Sequence, residues 1–183
     1  MNTPSVCHST LYKKLWIAVI LFIVVILSVK PVMRVVFPVL YTDEIRRYST
    51  VYEIDEHLVM AVISAESKFD KNAQSHKGAK GLMQIREKTA EWCMEKFGID
   101  GDIDNLYNPG LNINIGCAYI SYLLQKFDGD ICTTLAAYNA GEGNVKRWLE
   151  KEKVLDADNI PFEETRNYVK RVSERKNIYH FLY

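Results

Sequence analysis

The sequence carries no acidic residue before Asp43 and no surplus of basic residues after it. Lys13 and Lys14 are the only basic residues ahead of Lys30, and from Lys30 onward 21 basic residues stand against 23 acidic ones. A nucleic-acid face needs a concentrated positive patch, so nucleic-acid binding is set aside. The sequence also lacks paired cysteines. Cys7, Cys93, Cys117 and Cys132 form no C-x-x-C, none has a His at zinc-ligand spacing, and His8, His57, His76 and His180 form no H-E-x-x-H. That removes the usual zinc arrangements, and no metal or cofactor is expected. Cys7 precedes the apolar segment, so at most one disulfide can join the other three, and burial as small apolar side chains serves them equally well. Asp100, Asp102 and Asp104 alternate as in a calcium loop, but Asn105 stands where the loop glycine belongs and Leu111 where the bidentate Glu belongs. An EF-hand is therefore rejected. No internal repeat and no sustained period-two alternation occur, so the chain should be mainly α.

What is present begins with Leu15 to Val29, fifteen residues without a charge. As a helix they span about 22 Å, short of the roughly 30 Å hydrocarbon core. Leu11 and Tyr12 before the run and Pro31 to Met33 after it complete a crossing if Lys13, Lys14 and Lys30 snorkel. A cleaved signal peptide also fits the basic start and apolar core, but the exit Ser28-Val29-Lys30-Pro31-Val32 offers no A-x-A-like cleavage site. A signal-anchor is the preferred reading. The expected organisation is a tail over 1–14, a membrane helix over 15–33, a linker over 34–48 and a helical domain over 49–183, with Pro31 and Pro38 interrupting regular structure between the apolar run and the domain. Basic residues flank the apolar run on both sides, so charge does not orient it.

The stretch Asp55 to Glu66 reads as a helix capped by Asp55. At about 100° per residue, Val59, Val62, Ile63 and Glu66 share one side. The acid thus lies on the apolar stripe, where desolvation favours its protonated form. A general acid near neutral pH requires that. Further helices are expected over 87–97, 111–127, 131–138, 145–151 and 165–179, with loops over 71–80 and 98–110.

Four motifs follow one another in order. They are Glu66-Ser67, Gly81-Leu82-Met83-Gln84-Ile85, Ala137-Tyr138-Asn139-Ala140-Gly141 and Glu164-Thr165-Arg166-Asn167-Tyr168-Val169. Between them stand Ser75-His76-Lys77-Gly78-Ala79-Lys80-Gly81 and Asn112 to Ile120, with Asn108-Pro109 just before. This ordered set resembles the soluble-lytic-transglycosylase (SLT) family over roughly Tyr52 to Tyr179. The resemblance implies a lysozyme-like helical domain of the goose type, acting on peptidoglycan glycan strands. It implies Glu66 as the single catalytic acid/base and Ser67 as a residue orienting substrate or acid. Met83 and Gln84 would line the sugar cleft, Tyr138 and Asn139 would floor the subsite next to the scissile bond, and the Tyr168 hydroxyl would lie near Glu66. The implied product is a 1,6-anhydromuramoyl end. A hydrolytic muramidase of the same fold would need a second carboxylate to hold water, and Asp70 and Glu142 are the acids near the motifs in sequence. A non-catalytic wall-binding scaffold is the third reading, and the intact Glu66 speaks against it. Because peptidoglycan lies outside the cell, the resemblance also implies a cytoplasmic amino terminus and an extracytoplasmic domain.

Overall fold

The computed structural model describes the backbone from residue 5 and side chains from residue 12. Most of the expected 1–14 tail, with Cys7, lies outside the described side chains. Among the described residues all regular structure is helical. The helices are α1 (Ser5–Val36), α2 (Thr42–Val51), α3 (Glu56–Glu66), α4 (Glu87–Phe97), α5 (Pro109–Lys126), α6 (Ile131–Ala140), α7 (Glu142–Leu149) and α8 (Glu163–Leu182), with a short 3₁₀ turn at Ile103–Asn105. The chain divides into two units at Pro38 and Val39.

The first unit is α1. Its stretch Tyr12–Val36 is long and apolar enough to cross a membrane. Leu15, Trp16, Phe22 and Leu27 all stand exposed on it, so it carries apolar surface on every side, as a lipid-facing helix does. The sequence places a break at Pro31, yet the helix runs through it to Val36. A proline removes one backbone hydrogen bond, a loss that apolar spans tolerate. Pro38 does fall outside helix, between α1 and α2.

The second unit begins before the expected boundary at Ser49. Residues 42–48, read as linker in the sequence, belong to α2, which runs on to Val51. Asp43 and Glu44 occupy its first turn, where the free amides favour negative charge, and Ile45 and Ser49, four apart, are its buried residues. It packs on α3 and α5. Helix α3 starts where expected: the Asp55 carboxylate accepts from the His57 amide at 2.9 Å. Every residue from Leu58 to Ser64 is buried, so α3 runs through the core with more than one apolar side. Helix α5 is the other central element. Asn108 caps it by accepting from Leu111 N at 3.0 Å, and Pro109 takes the first turn, so it starts two residues ahead of expectation. Asp130 caps α6 on Thr133 N at 2.7 Å. Helix α8 is tied to α3 by Lys176 Nζ on the Asp55 carboxylate at 3.0 Å and by Arg175 donating to Ser64 Oγ at 3.1 Å. Cys93, Cys117 and Cys132 are free thiols, the first two buried.

Candidate active site

Glu66 is the last residue of α3, and the chain turns sharply after it. Lys68 and Phe69 both take left-handed backbone angles, φ 54° and 65°. Such strain in non-glycine residues persists only where the surroundings hold it, and here the Phe69 ring is buried in the core. The turn stops α3 with Glu66 half-buried on the wall of a cleft of about 560 Å³. That volume lies in the range of ligand sites. Gln84, Tyr119, Tyr138, Asn139, Glu164 and Thr165 also line it.

Burial pushes the Glu66 carboxyl up to about 7, while contact with the Tyr168 hydroxyl and the charge of Arg171 pull it down and Glu164 pushes it up. Tyr168 comes from α8 and is only 2% exposed. Its hydroxyl is close enough to act on Glu66, but no partner around it meets full hydrogen-bond geometry. The two groups therefore sit in loose contact rather than a formed bond. Arg171 stands over the Tyr168 ring, 5.7 Å from its centroid.

The 81–85 loop is pinned from α5 by one buried amide. Asn112 donates to the Lys80 and Leu106 carbonyls at 2.9 and 2.8 Å and accepts from Met83 N at 2.8 Å. A Cβ on Gly81, which has φ +77°, would collide with that amide and with the Leu106 carbonyl, so the loop accepts only glycine there. Gln84 is held at φ 49°. Its NH₂ donates to the Ala73 and Gly81 carbonyls at 3.1 and 2.9 Å, which leaves its oxygen as the group to meet a ligand. The Tyr138 hydroxyl donates to the Met83 carbonyl at 2.7 Å, fixing α6 to the same loop. Asn139 accepts from Thr165 Oγ1 at 2.8 Å, so its NH₂ remains to donate.

Residues 43–161 match the family model described as the transglycosylase SLT domain. The chain belongs to the SLT transglycosylase family. It is 40% identical over 143 residues to the soluble lytic murein transglycosylase of Escherichia coli K12, covering 74% of this chain and 22% of that protein. The chain thus spans about a fifth of that relative's length. A solved structure of an inactive mutant of lytic transglycosylase Slt from Pseudomonas aeruginosa superposes with TM-score 0.77 at 34% identity, over 81% of this chain and 25% of that one. The membrane-bound lytic murein transglycosylase C of Glaesserella parasuis is 28% identical over 165 residues, 76% of this chain and 45% of that protein. The helical architecture is that of lytic transglycosylase structures, and the stretch Tyr12–Val36 of α1 is a candidate membrane span by length and composition.

Within the SLT domain, Glu66, Gln84, Tyr138 and Asn139 line one cleft, and Tyr168 stands behind Glu66. Ser67 and Met83 do not face the cleft. The Ser67 hydroxyl donates to the Ile63 carbonyl at 3.1 Å, closing the end of α3. The Met83 side chain is fully buried against Gly116, where an added Cβ would strike its sulfur. What Met83 supplies is its backbone, bonded to Asn112 and Tyr138. The two acids singled out for a hydrolytic reading are also elsewhere. Asp70 is exposed and bonded to the Asn72 amide at 2.9 Å. Glu142, held down to about 2 against its own burial by Lys126 and Lys146, lines a different cavity. Tyr119, Thr165 and Arg171 are site residues not expected from the sequence. Thr165 lies inside the Glu164–Val169 motif and is the nearest to legible. Tyr119 and Arg171 reach the site only through the packing of α5 and α8.

Proposed function

We propose that this chain is a membrane-anchored lytic transglycosylase that cleaves the β-1,4 bond between N-acetylmuramic acid and N-acetylglucosamine in peptidoglycan. The observation that carries the reading is Glu66, half-buried on the cleft wall with a carboxyl pushed up to about 7. At neutral pH a large fraction is protonated, ready to act as general acid. Glu66 donates its proton to the glycosidic oxygen, the bond to the muramoyl anomeric carbon breaks, and the N-acetylglucosamine side leaves as an alcohol. The substrate's acetamido group stabilises the developing cation. Glu66, now ionised, takes the proton of the muramoyl C6 hydroxyl, whose oxygen bonds to the anomeric carbon. No water is consumed, and the intramolecular nucleophile enjoys a high effective concentration. The Gln84 oxygen, the Asn139 amide and the Tyr138 ring hold the sugars, the nearby Tyr168 hydroxyl favours the ionised form of Glu66, and Ser67 and Met83 serve by fixing the end of α3 and the 81–85 loop.

One observation favours a hydrolytic reading: Glu164 is a second carboxylate on the cleft wall. It is 77% exposed and pairs with Lys77 at 3.9 Å, a poor setting for ordering a water, so the lytic route is preferred. Digestion of purified cell wall decides between them. The expected products are 1,6-anhydromuramoyl ends without new reducing ends, lost with Glu66→Gln. New reducing muramic ends would establish the hydrolase instead, and cleavage surviving Glu66→Gln would remove Glu66 from the mechanism.

We also propose that residues 1–14 are cytoplasmic, 15–33 cross the membrane once, and the domain faces the wall, the only side where this substrate is found. External protease should digest the domain in wall-stripped cells; protection there would reverse the topology.

A further inference from the structure

Tyr168 and Arg171 do not line the cleft, yet both act on its acid. They lie three residues apart on α8 and so share a face. The Tyr168 ring is buried, and the exposed Arg171 guanidinium stands over it, 5.7 Å from the centroid. A guanidinium stays charged at every working pH, and a cation is drawn to the face of a ring. The same cation stabilises negative charge on the phenol oxygen, which makes the hydroxyl a better donor. That hydroxyl is buried without a partner of full hydrogen-bond geometry, although Glu66 is close enough to act on it. A buried donor left open calls for an acceptor, and an ionised carboxylate is a far stronger one than a protonated carboxyl. Arg175, one turn further along α8, donates to Ser64 Oγ of α3 at 3.1 Å. It holds this stretch of α8 against the helix that carries Glu66. Two other groups act on the acid or are acted on by it. Glu164 of α8 opposes its ionisation, and Tyr138 of α6 is a phenol kept neutral by burial whose hydroxyl is already given to the Met83 carbonyl.

We propose that Arg171 is a positioning residue for the reaction: through the Tyr168 ring it readies the phenol to donate to the Glu66 carboxylate that forms once the proton has gone to the glycosidic oxygen. The proposal rests on the lytic reading, in which Glu66 gives a proton and then takes one back. Burial favours the first state and the Arg171–Tyr168 pair favours the second, so the acid is locked in neither. Arg171 touches no substrate and acts from outside the cleft.

The test uses the full chain in detergent with its glutamate carboxyl carbons labelled, and follows Glu66 by NMR titration. The Glu66 signal is the one missing from Glu66→Gln. Arg171→Gln should move this titration to higher pH by roughly 0.3–0.5 of a unit, the reach of an exposed charge. The alkaline fall of kcat/KM should move with it while KM stays within about twofold. Arg171→Lys, which keeps the charge, should stay close to the parent. In the Tyr168→Phe background the ring remains and the donor is gone, so Arg171→Gln should move the titration less than about half as far. No displacement with Arg171→Gln, or a displacement to lower pH, overturns the proposal. An equal displacement in both backgrounds also overturns it, by showing that Arg171 acts on Glu66 without Tyr168. The titration needs no turnover, so its outcome stands apart from the lytic reading, which fails separately if digested wall shows new reducing ends.

Discussion

Tyr168 of α8 sets its hydroxyl against the Glu66 carboxylate of α3 and holds that carboxyl below where burial alone would put it. Burial still wins, leaving Glu66 at about 7. In the proposed lytic step Glu66 carries the proton in the free enzyme, so kcat/KM should fall as pH rises through about 7. Removing the phenol with Tyr168→Phe removes a group that favours the ionised form. The Glu66 pKa then rises, and the alkaline fall should move to higher pH even if the rate drops. A pH–rate profile on purified glycan strands measures it, and a fall moving to lower pH would show that the contact is absent in the working enzyme.

Glu164 acts on the same carboxyl with the opposite sign. Its negative charge raises the Glu66 pKa, so Glu164→Gln should move the alkaline fall to lower pH. Because Glu164 is exposed, solvent screens the effect and the displacement should be small. The variant should still make anhydro ends, within a few-fold of the parent rate. A loss of about a hundredfold or more, the scale of a removed general base, would instead assign Glu164 the role of ordering water.

Stability carries the same information independently of substrate. A carboxyl whose folded pKa lies above its unfolded value contributes most below the unfolded pKa, and the contribution is lost as pH rises through the folded one. For Glu66 that window runs from the ordinary value of 4.5 to about 7. The glutamine of Glu66→Gln does not ionise, so the variant should gain about 2–3 kcal/mol over the parent between pH 5 and pH 8, each tenfold change in the protonation equilibrium being worth about 1.4 kcal/mol. Urea unfolding in detergent at the two pH values reads the difference. An equal response of parent and variant would place Glu66 in bulk water.

The sequence made the long helices and the acid legible for local reasons. Asp55, Asn108 and Asp130 are side-chain caps that stand directly before apolar-periodic runs, and Glu66 lies on such a run. Helix α2 was hidden because it opens on Tyr41 in a left-handed conformation without a side-chain cap, and its mostly polar sequence buries only Ile45 and Ser49. What no local pattern carries is the far partner of each residue. Met83 belongs to a motif whose position in sequence suggests the cleft, yet the missing Cβ of Gly116 opens a slot in α5 that takes its side chain into the core. The partnership of Asn139 with Thr165 likewise joins residues 26 apart, and only the packing of α8 beside α6 creates it.

Asn112 shows how much of the site depends on a residue that never touches it. It is fully buried, and its amide satisfies three backbone groups: the Lys80 and Leu106 carbonyls and the Met83 amide. Asn112→Ala leaves all three without that partner in a place water reaches poorly. Each orphaned group costs about 1–3 kcal/mol before relaxation, and partial rearrangement of the loop should bring the total to roughly 3–4 kcal/mol. Asn112→Asp keeps the acceptor for Met83 N but loses both donors and buries a charge, so it should be no milder. Since Gln84 and the Met83 carbonyl that anchors Tyr138 sit on the same loop, activity should fall more than the unfolded fraction explains. The check is a pair of measurements on Asn112→Ala, urea midpoint and cleavage rate at a temperature where the variant remains folded. A normal rate in the folded variant would mean that Gln84 and Tyr138 hold their places without Asn112.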